Sequence, residues 1–246
     1  MSGKPGTEGG SRAYRKAPPG DAEICVYCGA NPATTRDHVV PRCLFPGKLP
    51  DNVLTVKACR RCNQSKSHGE DYLRDYLVAD IRASRSPAAQ AVFRGKMLAS
   101  VRRGSSRLAK DFLSNGRTAP VVTRAGIFLG ECVSAPVEAE RITTVLTFML
   151  KGLYYRILDK RLPDGCTVVV RTIDWLGIGP VWRALQDRPV YGYPGVFVCR
   201  FVYADEDNAL TNWVFVFYDS VGVIIETDRA DTGPSASLQP ASLAGD

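Results

Sequence analysis

Apolar and polar positions follow three successive rhythms along the chain. Residues 34–57 alternate in short bursts, which predicts a strand over 34–40 ending at His38, a stop at Pro41, and a loop rich in Pro and Gly. A second strand is expected over 52–57, with Val53, Leu54 and Val56 as its apolar positions. Helical spacing then takes over. A helix begins at Cys59 and Cys62, and Tyr72, Leu73, Tyr76, Leu77 and Ile81 recur with the period of a packed helical face. Ser86 followed by Pro87 reads as an N-cap with Pro at the first helical position, opening a helix that carries Val92, Phe93, Met97, Leu98 and Val101 up to Gly104. A shorter helix through Leu108 and Phe112 is expected to stop at Asn115 and Gly116.

From residue 120 the rhythm changes again. Two β-like runs, 120–123 and 126–133, precede a long amphipathic helix from Pro136 in which Ile142, Val145, Leu146, Met149, Leu150, Leu153 and Ile157 keep a 3.6-residue period. Strands are then predicted over 167–173, 195–203, 213–218 and 221–226, with a turn at Asp205 to Asn208. The fold class is therefore α+β: an N-terminal ββα unit followed by helices, then an antiparallel sheet packed on a long helix. The expected division is a disordered tail (1–20), a ββα domain with a basic helical extension (21–118), an α+β domain (119–228) and a second disordered tail (229–246).

Four cysteines give the ββα unit its chemistry. Cys25 and Cys28, then Cys59 and Cys62, form two Cys-x-x-Cys pairs, the thiolate pattern of a closed tetrahedral Zn²⁺ site. Between them lie Asp37-His38-Val39-Val40-Pro41 and Asn52-Val53-Leu54, and the second pair runs on as Cys59-Arg60-Arg61-Cys62-Asn63-Gln64-Ser65-Lys66. In order and spacing this stretch resembles the HNH endonucleases, the ββα-metal or His-Me finger nucleases, in their Asp-His, Asn, Asn variant with a structural zinc. The matching residues cover about a sixth of the chain.

The residue types suit such chemistry. Cutting a phosphodiester requires a base for water and a cation for the charge on the phosphoryl and leaving oxygens. A neutral imidazole titrates near working pH, which makes His38 the candidate base. Few protein oxygens plus water is the coordination habit of Mg²⁺, with Mn²⁺ as its substitute, and Asp37 and Asn63 offer such oxygens. The resemblance implies these roles, with Asn52 orienting the His38 ring and products bearing 5′-phosphate and 3′-hydroxyl ends. His68, the other histidine, falls five residues beyond Asn63 on the same helix and reads as a surface residue. Cys43, Cys132, Cys166 and Cys199 lack pair spacing and read as core, as do Trp175, Trp182 and Trp213.

Charge sharpens the expected partner. Residues 1–124 hold 22 Lys and Arg against 10 Asp and Glu, a surplus of +12, whereas residues 125–246 hold 10 against 15, or −5. A basic half around the ββα stretch is the footprint of a polyanion binder, so DNA is the expected partner, with RNA also open. Arg36, Arg60, Arg61, Lys66, Arg102 and Arg103 are the expected backbone contacts. The acidic half is the expected source of specificity, of a protein contact or of self-association. No apolar run reaches membrane-spanning length, which together with reduced thiols points to the cytoplasm. The other reading is a zinc-stapled nucleic-acid-binding module without catalysis, which would have no use for Asp37, His38, Asn52 and Asn63 together.

Overall fold

The computed structural model describes residues 24–123, 125–173, 175–203 and 209–229. The predicted tail 1–20, the predicted tail 229–246 apart from Arg229, the turn at Asp205 to Asn208 and the side chains of Cys132 and Trp175 lie outside the described residues, and Arg229 itself ends a strand. The class is α+β, with three antiparallel sheets among helices.

The ββα unit comes first. Strand β1 (Thr35–His38) pairs antiparallel with β2 (Thr55–Ala58), setting Asp37 opposite Val56 and His38 opposite Thr55. Pro41 caps a single 3-10 turn (Arg42–Leu44) between them. Helix α1 (Arg60–Ala79) follows as one uninterrupted helix, so the finger's helix and the predicted packing helix are the same element. It ends before Ile81, which stands 82% exposed and does not join the apolar face. Asp80 breaks the helix by accepting from the Arg82 amide and opening a 3-10 segment (Ile81–Arg85).

The Ser86 cap is present: its hydroxyl accepts from the Ala89 amide and starts α2 (Pro87–Val92). The helix passes through a π turn (Phe93–Met97) into α3 (Leu98–Arg102), and α4 (Arg107–Asn115) ends at Gly116. Strands β3 (Arg117–Val122) and β4 (Phe128–Ser134) form a separate hairpin, whose Val122, Ile127, Phe128, Leu129 and Val133 are exposed. The expected boundary at residue 118 falls inside β3.

Helix α5 (Ala139–Leu158) is the long amphipathic helix, with Val145, Leu146, Met149, Leu150 and Leu153 buried. The large sheet runs β5-β9-β8-β7-β6, all antiparallel: β5 (Cys166–Ile173), β6 (Tyr191–Tyr193), β7 (Phe197–Tyr203), β8 (Thr211–Phe217) and β9 (Val221–Arg229). Strand β6 and helix α6 (Trp175–Ala184) are additions to the expected set. Trp213 is fully buried and stacks on Phe201 at 4.1 Å between ring centroids. Among the described residues no helix is long and apolar enough to cross a membrane.

One apolar cluster runs through both parts, from Val39, Val56 and Leu73 to Met149, Phe197 and Phe215. Two tyrosines of the sheet pin the finger directly: Tyr193 Oη accepts from the Leu54 amide at 2.6 Å, and Tyr218 Oη donates to the Leu44 carbonyl at 2.9 Å. Helices α1 and α5 meet at Gly69, where a Cβ would stand 2.9 Å from the Arg141 carbonyl oxygen and 2.7 Å from Val145 Cγ2. Backbone cannot yield as a flexible side chain would. Gly69→Ala is therefore expected to destabilise the protein by about 1–3 kcal/mol through overpacking, even though alanine favours an exposed helix by about 1 kcal/mol. Thermal unfolding with a raised Tm would refute this close approach.

Candidate active site and metal centre

The four cysteines meet as their spacing predicts. Their Sγ atoms lie within 4.8 Å of one another, and Cys28 Sγ stands 4.0 Å from Cys59 Sγ. A tetrahedral ion with metal–sulfur bonds of about 2.3 Å needs sulfur–sulfur edges of about 3.8 Å, so the set can hold one metal ion after a small contraction. The local sequence builds it. Cys25 donates its amide to the Asn31 carbonyl and accepts from the Gly29 amide, closing a knuckle. Gly29 sits at φ +63°, and Arg161 lies against it so closely that a Cβ would overlap the guanidinium. On the other side Cys59 caps α1, its Sγ accepting from the Cys62 amide at 3.4 Å.

Burial pushes the Cys28 thiol up, but the Ala30 and Asn31 amides and the Asn31 carboxamide outweigh it and bring the thiol down to about 6. Burial pushes Cys25 and Cys62 up. Cys28 is thus the thiol most readily ionised of these three, and Cys25 and Cys62 would release protons as a metal binds.

Tyr27, between the first two cysteines, links this centre to the Asp-His pair. Its hydroxyl donates to Asp37 Oδ2, and its ring packs edge-on against Phe148 of α5 at 4.8 Å. Asp37 Oδ2 also accepts from Lys66 Nζ at 2.9 Å, and the same ammonium donates to the His38 carbonyl and pairs with Glu70 at 3.3 Å. Lys66 is fully buried. It was expected at the nucleic-acid surface, and the structure corrects this: at helical spacing from Asn63 and Glu70 it turns inward to pair with two carboxylates. Removing one partner of such a buried pair costs about 3–5 kcal/mol.

Asp37 and Asn63 occupy the strand and helix that face each other. The Asn63 carboxamide donates to Thr35 Oγ1 at 3.1 Å, and Thr35 lies two residues from Asp37 on the same face of β1. Neither Asn63 Oδ1 nor Asp37 Oδ1 has a protein hydrogen bond among the described residues. Two oxygens left free on adjacent elements suit a hard cation that keeps most of its ligands as water.

His38 ends β1, half-buried, on the opposite face of the strand from Thr35 and Asp37 to a first approximation. Burial lowers its pKa from 6.5, the Arg42 and Lys66 charges lower it further, and Asp37 opposes them. These surroundings favour the neutral ring, the form a general base needs. Asn52 does not meet it: Asn52 lies in the exposed turn ahead of β2, and its side chain makes no hydrogen bond to His38 among the described residues. The strand begins three residues later than expected, which leaves Asn52 outside the sheet.

Arg36, Arg60, Arg61, Arg102 and Arg103 are all exposed, and His68 is an exposed residue of α1. Cys199 is buried, and Cys43 donates its thiol to the Glu70 carbonyl at 3.3 Å, so neither joins the metal cluster. Tyr27 and Glu70 carried no motif signal; a tyrosine inside a Cys-x-x-Cys loop and a glutamate one helical turn after Lys66 were the available hints.

Comparison with models of known families, with curated proteins and with solved structures gives no match for this chain. The geometry above therefore bears the functional argument by itself. It predicts that Cys59→Ser removes one of the four sulfur ligands while leaving a hydroxyl able to cap α1, so the protein should lose metal binding and the knuckle should unfold for want of the ion. Metal analysis and circular dichroism of the variant check this; a full metal complement with native stability would refute it.

Proposed function

We propose that the ββα unit is the catalytic core of a metal-dependent endonuclease of the HNH type, hydrolysing phosphodiester bonds in DNA, with a structural zinc in the four-cysteine centre. The observation that carries this reading is the grouping, on one small ββα unit, of a half-buried His38 and two oxygens of Asp37 and Asn63 without a hydrogen bond among the described residues, beside four converging thiols. Four cysteines and no carboxylate favour Zn²⁺ for the structural ion. Free thiols at metal spacing also fit a reducing, cytoplasmic setting.

In this reading His38 takes the proton from the attacking water. The new bond forms from that oxygen to phosphorus, the bond from phosphorus to the 3′ oxygen breaks, and the departing 3′ oxygen takes a proton from solvent water, leaving 5′-phosphate and 3′-hydroxyl ends. Asp37 and Asn63 would hold Mg²⁺ or Mn²⁺, which when bound supplies positive charge for the phosphoryl and leaving oxygens. Tyr27 and Lys66 fix the Asp37 carboxylate by its other oxygen, so that its free oxygen has a set direction. The exposed Arg36, Arg60, Arg61, Arg102 and Arg103 supply sequence-independent contacts to phosphates.

The second reading, a zinc module that binds nucleic acid without cutting it, gains from two facts: the Asn52 side chain makes no hydrogen bond to His38 among the described residues, and Asp37 already pairs with Lys66. His38→Ala separates the two. In the nuclease reading it lowers cleavage by a factor of ~10²–10⁴, while zinc content and DNA affinity stay near wild type, because the imidazole acts in the transition state. Wild-type cutting by the variant, in preparations free of host nuclease, would overturn the assignment of His38.

A further inference from the structure

The burial of Lys66 raises the question of what holds the substrate beside His38. An open cleft of about 670 Å³ lies next to the end of β1, lined by Arg42, Cys43, Lys48, Glu70 and Lys96. Arg42 opens the 3-10 turn after Pro41, four residues past His38, and its charge is among those that lower the His38 pKa. On the far wall, Glu70 pairs with the ammonium that also holds the His38 carbonyl. The cleft and the histidine therefore share one set of supports.

Its charge is unbalanced. Arg42, Lys48 and Lys96 have no carboxylate within ion-pair distance among the described residues, whereas Arg74 and Arg107 each have two and Arg82 and Arg141 at least one. The acid in the lining, Glu70, shares Lys66 with Asp37, so it offsets at most one of the three positive charges. Burial pushes the Cys43 thiol up to about 12, so it adds no negative charge. Lys96 comes from a distant part of the chain, yet its Nζ donates to the Arg42 carbonyl at 3.2 Å.

Backbone geometry accounts for that reach. Lys96 sits in the π turn Phe93–Met97, where an extra residue shifts side-chain register relative to a regular helix; such turns recur at functional sites. Arg42 and Lys48 are exposed and Lys96 half-buried, so all three cations remain within reach of a ligand. Three cations lining one cleft with a single, shared carboxylate among them leave a net positive charge that matches a phosphate oxyanion.

We propose that Arg42, Lys48 and Lys96 form a phosphate-binding cleft beside His38, which seats a phosphodiester neighbouring the one that is cut. This rests on the nuclease reading and names its substrate contacts. The same oxyanion chemistry would also accept a free phosphate, so the test has two arms.

Binding of a short fluorescein-labelled DNA duplex, without added divalent ion, is followed by anisotropy across a salt series, and binding of pyrophosphate by calorimetry. Lys48→Gln alters an exposed side chain, and Lys96→Gln retains a donor for the Arg42 carbonyl, so both are expected to fold with full metal content. The double variant should bind the duplex about tenfold more weakly at low salt, with the slope of log affinity against log salt reduced by about 2 for two lost contacts. Undiminished affinity and slope, with wild type binding DNA, would overturn the cleft alone. Loss of pyrophosphate binding with duplex binding unaffected would assign the site to a free anion and overturn its role in holding DNA. Absence of duplex binding by wild type would overturn the nuclease reading on which the cleft depends.

Discussion

Four thiols brought within 4.8 Å of one another fix the geometry on which the candidate site depends. They tie a knuckle at Cys25–Cys28 to the start of α1, two points separated by more than thirty residues that include both strands and a turn rich in Pro and Gly. A two-stranded sheet with four residues per strand has little stability of its own. A metal bound by these thiols supplies what the short strands lack, because the free energy of binding is then folding free energy for the loop it closes. Tyr27 carries the constraint inward, since its position is set by the cysteines on either side and its hydroxyl holds Asp37. Metal centre and candidate active site are thus adjacent parts of one hydrogen-bonded structure.

The larger C-terminal part acts on the finger as a support. Phe148 of α5 packs on Tyr27, Lys151 reaches the Tyr27 carbonyl at 3.4 Å, and Gly152 lets α5 approach Val39 directly. Tyr193 and Tyr218 satisfy backbone groups at both ends of the loop between β1 and β2. A buried backbone donor or acceptor left unmatched costs about 1–3 kcal/mol, so these two hydroxyls help to fix the loop that carries Arg42 and Lys48. Charge divides along the same line, with a net surplus of +12 over residues 1–124 and −5 over residues 125–246.

Much of this was legible in the sequence because the signals were local. Cysteine spacing, the Ser86-Pro87 cap and the 3.6-residue period of α5 each depend on near neighbours, and all appear in the structure. The ββα order was legible for the same reason. Lys66 was misread because its burial depends on Asp37, distant in sequence, and on Glu70 together; a lone lysine next to exposed arginines looks like another surface charge. Asn52 was placed in a strand by the apolar residues after it, but pairing starts only at Thr55. The three-residue strand β6 was too short to show alternation, and Pro180 inside α6 hid that helix. The π turn that directs Lys96 has no local signature, and so the cleft beside His38 could be found only from the structure.

The central claim is that this ββα unit hydrolyses phosphodiester bonds. Its most direct test is incubation of the zinc-loaded wild-type protein with end-labelled DNA, in single-stranded, duplex and supercoiled forms, with and without Mg²⁺ or Mn²⁺, followed by analysis of the product ends. The account predicts cleavage that requires the added divalent ion and leaves 5′-phosphate and 3′-hydroxyl termini. DNA of every form left intact by folded, zinc-loaded protein in the presence of either ion would contradict it.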